Sequence, residues 1–202
     1  MDSVKKILKI GITGGIGSGK TTACRIFETL GVPVYYADDR AKALMVESPD
    51  LIKNIKNLFG EEAYLLDGTL NRQHVADIAF HNPLKLKELN ALVHPAVWLD
   101  GEQWHKAQTA APYTLKEAAL LFESGGNRFL DKIITVVAPI ETRIERVLLR
   151  GGGTLNRADI EARIAKQLPD EEKIKQSDFV IWNDGKQALI PQVLAIHKEI
   201  LG

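Results

Sequence analysis

Apolar positions along this chain fall into two rhythms. Short β-rich runs at 7–13, 32–36, 113–122, 132–138 and 179–182 alternate with stretches in which apolar residues recur every three or four positions. Five strands separated by helical sequence predict a parallel sheet, because parallel neighbours need crossover connections and both faces of such a sheet need cover. The fold class is therefore α/β, a three-layer sandwich around a five-stranded parallel sheet. After the second strand the alternation stops. Residues 39–111 carry only helical patterns, at 40–46, 51–58, 72–80, 84–92 and 95–108, with turn signals at Asp67-Gly68 and Asn82-Pro83. This segment predicts a helical subdomain inserted into a single domain spanning 1–202. A shorter insertion at 151–177 opens with Gly151, Gly152 and Gly153 and continues as charged helical sequence, a pattern suited to a hinged lid.

Between the first strand and the first helix stands Gly14-Gly15-Ile16-Gly17-Ser18-Gly19-Lys20-Thr21, which fits G-x-x-x-x-G-K-[ST] at every fixed position. A helix with Ala23, Ile26, Phe27 and Leu30 on one face follows it and stops at Gly31. Strand, glycine loop and helix in that order make a phosphate loop: backbone N–H groups and the positive end of the helix dipole hold a β-phosphate. Lys20 is expected to reach the β and γ oxygens, and the Thr21 hydroxyl to ligate Mg²⁺. Cys24, on the buried side of this helix, reads as packing.

Composition narrows the classes of function. The 202 residues are 45% hydrophobic and 26% charged, and 26 Lys+Arg balance 26 Asp+Glu, so no bulk field draws the chain to nucleic acid or anionic lipid. The apolar run at 133–140 is far short of the roughly 20 residues a membrane span needs. The N-terminal stretch reads as a strand rather than a signal peptide. A single cysteine excludes an internal disulfide and fits a cytoplasmic location. The five histidines lack cysteine partners and tight ligand spacing, which argues against zinc. A GTPase would need a D-x-x-G switch and an N-K-x-D or T-K-x-D guanine reader, and neither occurs. Phosphoryl transfer to a small molecule remains.

Asp38 follows the second strand, at the sheet edge where ligands of open α/β folds sit. It reads either as the carboxylate that takes a hydroxyl proton or as a cap on the next helix. Asp39 reads as a cap or a solvated charge. Arg143, Arg146 and Arg150 line one stripe of a helix whose other face carries Ile144, Val147 and Leu148. For Arg146 and Arg150 the spacing allows contact with the γ-phosphate after lid closure or surface pairing with Glu141 and Glu145, whereas Arg143 reads as a surface residue. Residues 120–123 read as an apolar strand ending in the carboxylate of Glu123, which either orients a ligand or hydrated Mg²⁺ or is simply solvated. His94, before Pro95, reads as a histidine at a helix junction.

Together these residues resemble the dephospho-CoA kinase family over nearly the whole chain. Thr13 to Thr22 is similar to that family's form of the phosphate loop, and Ala37-Asp38 with Ala41-Lys42 resembles its A-D-x-x-A-R. Asp67-Gly68-Thr69-Leu70-Asn71-Arg72 and the stretch from Leu89-Asn90 to His94-Pro95 resemble its helical CoA-binding region. Leu120 to Glu123, Arg146, Arg150, Arg163, Gln167, Asp178 and Asn183 resemble its later signatures. Three positions depart from the pattern: Tyr36 stands where many members have an Asp, Ala118 where proline often precedes L-L-F-E, and Gly151 where an acidic residue often follows the arginine.

The resemblance implies a nucleoside-monophosphate-kinase-like fold with core, CoA and lid regions, using ATP and Mg²⁺ to phosphorylate the 3′-hydroxyl of dephospho-CoA. It implies Asp38 as base, and Gly15, Ile16, Gly17, Ser18, Gly19, Lys20, Thr21, Thr22 and Asn183 on ATP. Arg146 and Arg150 would meet the phosphates, and Lys42, Arg72, His94 and Glu123 the acceptor. Neither nucleic acid nor membrane is an expected partner.

Overall fold

The computed structural model describes residues 6–151 and 155–202. Residues 1–5, at the head of the stretch weighed as a leader, and 152–154, which hold two of the three hinge glycines, lie outside the described residues. The strands are β1 (Leu8–Thr13), β2 (Val34–Tyr36), β3 (Tyr113–Glu117), β4 (Lys132–Val137) and β5 (Phe179–Trp182). They form one five-stranded sheet in the order β2-β3-β1-β4-β5, with every pairing parallel. The glycine loop therefore opens from a central strand, β1, which has Ile12 opposite Glu117 of β3 on one side and Ile134 of β4 on the other.

Alternation along the strands decides the two faces. Ile10 and Ile12, Tyr113 and Leu115, Ile134 and Val136, and Phe179 and Ile181 share a buried cluster with Ala23, Cys24 and Phe27 of α1 (Lys20–Thr29) and with Val193, Ile196 and Ile200 of α9 (Leu189–Leu201). The intervening residues face the other layer. Thr135 Oγ1 meets Ser177 Oγ at 2.6 Å there, and a Cβ on Gly11 would come within 2.8 Å of Leu121 Cδ2.

Leu121 also explains a correction. The apolar run 113–122 predicts one long strand, yet β3 ends at Glu117 and residues 119–125 form turns. The run stays apolar because Leu121, 1% exposed, folds back over the second face of the sheet instead of extending it. Glu123 consequently sits in a turn and not at a strand end.

By packing, the chain divides into two compact units, Met1–Tyr36 with Ala107–Gly202, and Ala37–Lys106. The second is helical: α2 (Ala37–Glu47), α3 (Pro49–Phe59), α4 (Arg72–His81) and α5 (Pro83–Lys106). Its interior holds Leu51, Ile55, Phe59, Ala63, Val75, Val93 and Val97. Arg40 of α2 forms a fork on Asp100 of α5, with Nε to Oδ2 at 3.0 Å and Nη2 to Oδ1 at 2.9 Å. The patterns at 84–92 and 95–108 are one helix, not two, and His94 lies inside it rather than at a junction. Pro95 forfeits one backbone hydrogen bond, but Val93, Val97 and Gly101 recur at fourfold spacing on the buried side and carry the helix past it.

In the first unit β4 leads into α6 (Ile140–Arg150), and α7 (Arg157–Ala165) and α8 (Asp170–Lys175) precede β5. Ile144 and Val147 of α6 bury against Ile160 of α7. Among the described residues no helix is long and apolar enough to cross a membrane.

Candidate active site

The glycine spacing produces the loop geometry directly. Gly17 and Gly19 take φ of 77° and 96°, which a side chain would strain, and Gly19 serves as N-cap of α1. Space matters equally at Gly14, where a Cβ would collide with the Val136 carbonyl. The loop tightens through a bond from Ser18 N–H to Gly15 O at 3.0 Å and delivers the chain into the first turn of α1. The N–H groups of a first turn have no intrahelical partner and lie at the positive end of the dipole, an arrangement made for an anion.

Lys20 opens α1 with its side chain 11% exposed. Its Nζ donates to Gly14 O at 3.0 Å and lies 3.8 Å from Glu117 Oε1. Glu117, the last residue of β3 and 6% exposed, brings a buried carboxylate to the mouth of the loop. Sequence reasoning missed it. The only signal was a carboxylate inside a strand-like run, five residues after a proline, and nothing local pairs it with a lysine almost a hundred positions earlier. Thr21 and Thr22 present exposed side chains on the same turn.

Asn183, just past β5, is built into the loop. Its Nδ2 donates to Ser18 O at 2.8 Å, and its own N–H donates to Val137 O at 2.8 Å. A Cβ on Gly19 would run into that Nδ2, so glycine there gives the amide its room. Arg146 Nη2 in turn donates to Asn183 O at 3.1 Å and Oδ1 at 3.3 Å, which orients the amide with its nitrogen toward Ser18. Arg146 Nη1 is buried with no hydrogen-bond partner among the described residues.

Arg150 ends α6 and is exposed. Arg143 corrects the surface assignment: it is 3% exposed, with Nε donating to Ile16 O at 2.9 Å and Nη1 to Asp170 Oδ2 at 2.9 Å. Glu141, which one of the two readings of the α6 arginines offers as their surface partner, pairs with Arg157 of α7 at 2.7 Å. Glu123 holds the segment after α7, its Oε1 accepting from Leu168 N–H at 2.7 Å with Lys173 Nζ 3.5 Å away.

Asp38 sits in the first turn of α2, which begins where β2 ends, and its side chain is exposed. Asp39 pairs with Lys42 at 2.7 Å. Arg72 and His94 are exposed on α4 and α5. In the helical unit, then, the expected acceptor residues stand on three different helices and all reach solvent. Cys24 stays inert: burial, then the nearby carboxylates of Glu117 and Glu28, push its thiol far above the usual range, and the loop lysine only partly opposes this.

A buried lysine–carboxylate pair at a glycine loop, with arginines of α6 against that loop, suits binding and transfer of a phosphoryl group. Comparison with known proteins agrees. The family model for dephospho-CoA kinase matches residues 8–188. A dephospho-CoA kinase of Bacteroides fragilis is 38% identical over 189 residues, 94% of this chain and 91% of that one. Among solved structures, a Thermus thermophilus protein superposes with a TM-score of 0.85 at 35% identity, covering 98% of this chain and 100% of that one. The dephospho-CoA kinase from Campylobacter jejuni superposes with a TM-score of 0.69 at 27% identity, over 95% and 96% of the two chains.

Proposed function

The chain belongs to the dephospho-CoA kinase family, and from that premise we propose how its residues divide the work. It is an ATP-dependent kinase that converts dephospho-CoA to CoA, the last step of coenzyme A biosynthesis. The observation that carries this is the family match from residue 8 to 188, laid over a phosphate loop in which every fixed position is present.

The loop from Gly15 to Thr22 forms the cradle of the β-phosphate, with Ile16 N–H and Ser18 N–H spent on holding its shape, and Lys20 turns from Gly14 O to the β and γ oxygens. Asn183 serves the ATP side by fixing Ser18, while the unpartnered Nη1 of Arg146 and the exposed Arg150 meet charge that develops on the transferring group. Asp38 is the base for the 3′-hydroxyl. An attacking oxygen must shed its proton as the new O–P bond forms, and an exposed carboxylate accepts it. Lys42, Arg72 and His94 bind the acceptor; Glu123, tied to Leu168, is the acceptor residue borne by the sheet unit.

Mg²⁺ fits the donors present, since Glu117 offers a buried carboxylate and Thr21 an exposed hydroxyl, both hard oxygens. When bound it neutralises charge on the β- and γ-phosphate oxygens. The lid is 151–177 and the acceptor subdomain 39–111. A cytoplasmic location is the reading that a single cysteine, and so no internal disulfide, supports. ADP release measured with and without dephospho-CoA tests the assignment: release must depend on the acceptor, and ADP formed equally without it would overturn the reading.

A further inference from the structure

Ile16, the third residue of the phosphate loop, has both polar groups of its backbone held by side chains from far along the chain. Its N–H donates to Gln167 Oε1 at 2.9 Å, and its carbonyl accepts from Arg143 Nε at 2.9 Å. Arg143 is braced in turn by Asp170, 2.9 Å from Nη1. The fit is close. A Cβ on Gly15 would strike the Arg143 guanidinium, and one on Gly17 would strike the Arg143 backbone. The Ile16 side chain packs on Ile144, Val147 and Ile160, so the whole residue is fixed.

The neighbouring carbonyls complete a pattern. Gly14 O accepts from Lys20 Nζ, Ile16 O from Arg143 Nε and Ser18 O from Asn183 Nδ2. A loop that turns N–H groups toward an anion must turn alternate carbonyls away, and each of those oxygens then needs a donor. Burial of a charge is costly, and an ion pair in a protein interior is often no more stabilising than apolar residues of the same volume. An apolar side chain at 143 would fill the space, but it would leave Ile16 O without its donor.

We propose that Arg143, Gln167 and Asp170 form a clamp on the Ile16 peptide that holds the phosphate loop in its anion-binding conformation, making them positioning residues for phosphoryl transfer. The proposal deepens the kinase reading and rests on it. Gln167 and Asp170 follow α7, so the same clamp fastens the trailing end of the lid segment to the loop.

Four variants of the full chain test this: Gln167→Leu, Arg143→Met, and the pair Arg143→Met/Asp170→Asn and Arg143→Gln/Asp170→Asn. Both doubles lack the ion pair, but only the glutamine double returns an amide donor for Ile16 O. Equilibrium titration with ATP, steady-state kinetics for both substrates and thermal melting are the readouts. Gln167→Leu and Arg143→Met are expected to weaken ATP binding and kcat/KM for ATP by about 10- to 100-fold, with KM for dephospho-CoA within about 2-fold of the native value. The glutamine double is expected to bind ATP at least about 5-fold more tightly than the methionine double. Equal ATP affinity of the two doubles overturns the clamp, as does native ATP affinity in folded Arg143→Met. Should Arg143→Met fail to fold, the doubles decide. Titration with ATP needs no turnover, so a native chain without acceptor-dependent ADP release would defeat the kinase reading while leaving the clamp separately measurable.

Discussion

At the residue scale, Lys20 shows how a functional charge is stored. It lies between Gly14 O and Glu117, so replacing it removes the cation proposed to meet the β and γ phosphates and also takes a positive charge from beside a buried carboxylate. Lys20→Ala is expected to cost at least about 10³-fold in kcat/KM and to lower the melting temperature. Adding Glu117→Gln should restore the melting temperature without restoring activity. A double variant that regains turnover would remove Lys20 from the phosphate-binding role. Asp38 is the opposite case, exposed in a first turn where a carboxylate adds only about 0.3–1 kcal/mol through the helix dipole. Asp38→Asn keeps shape and hydrogen bonding, so melting and ATP affinity should hardly move while kcat falls roughly 10²- to 10⁴-fold. Collapse of ATP affinity instead would make Asp38 a nucleotide residue. Arg143 marks what sequence cannot reveal at this scale. Helical spacing puts it on a polar stripe, and only Ile16 and Asp170, brought in from distant segments, bury it.

At the element scale, legibility follows how local the cause is. The run from β1 through the loop to α1 was readable because each glycine answers a backbone requirement of its own position, as the φ of Gly17 and Gly19 shows. Strand β3 was overdrawn because its continuation is apolar for a reason outside itself, the cover that Leu121 gives the far face. Helix α5 was cut in two because Pro95 is a local stop signal that burial of Val93 and Val97 overrides. For α7, a helix of 9 residues too short to persist alone, stability comes from Ile160 in the α6 cluster and from a capping box between Asn156 and Asp159. Asn156→Ala should therefore cost about 1 kcal/mol locally. Hydrogen exchange in α7 should speed up while protection in β1 and β4 stays the same; equal loss everywhere would contradict a local role.

At the scale of the whole molecule, one unit carries the phosphate loop and the other carries Asp38, Lys42, Arg72 and His94. The family this chain belongs to acts on a long acceptor, dephospho-CoA. Binding energy from the pantetheine and diphosphate arms is expected to fix the ribose hydroxyl, so truncated acceptors should lose kcat as well as affinity. AMP and adenosine should be poor acceptors, and CoA, already phosphorylated at the 3′ position, should not react. ADP release across dephospho-CoA, AMP, adenosine, shikimate and gluconate measures this, and preference for any other acceptor would overturn the substrate while keeping the kinase. The strand order has a consequence for biosynthesis. Among the described residues β1 precedes the other strands and pairs with β3 and β4, whose partners for Leu8 and Ile10 are Tyr113 and Lys132. A nascent chain must therefore carry a bare, apolar β1 past the ribosome exit while the helices after β2 emerge, and can close the middle of its sheet only after β4 is out. Late closure of such large loops is slower than the pairing of strands adjacent in sequence, so the sheet is completed from its centre only near the end of synthesis.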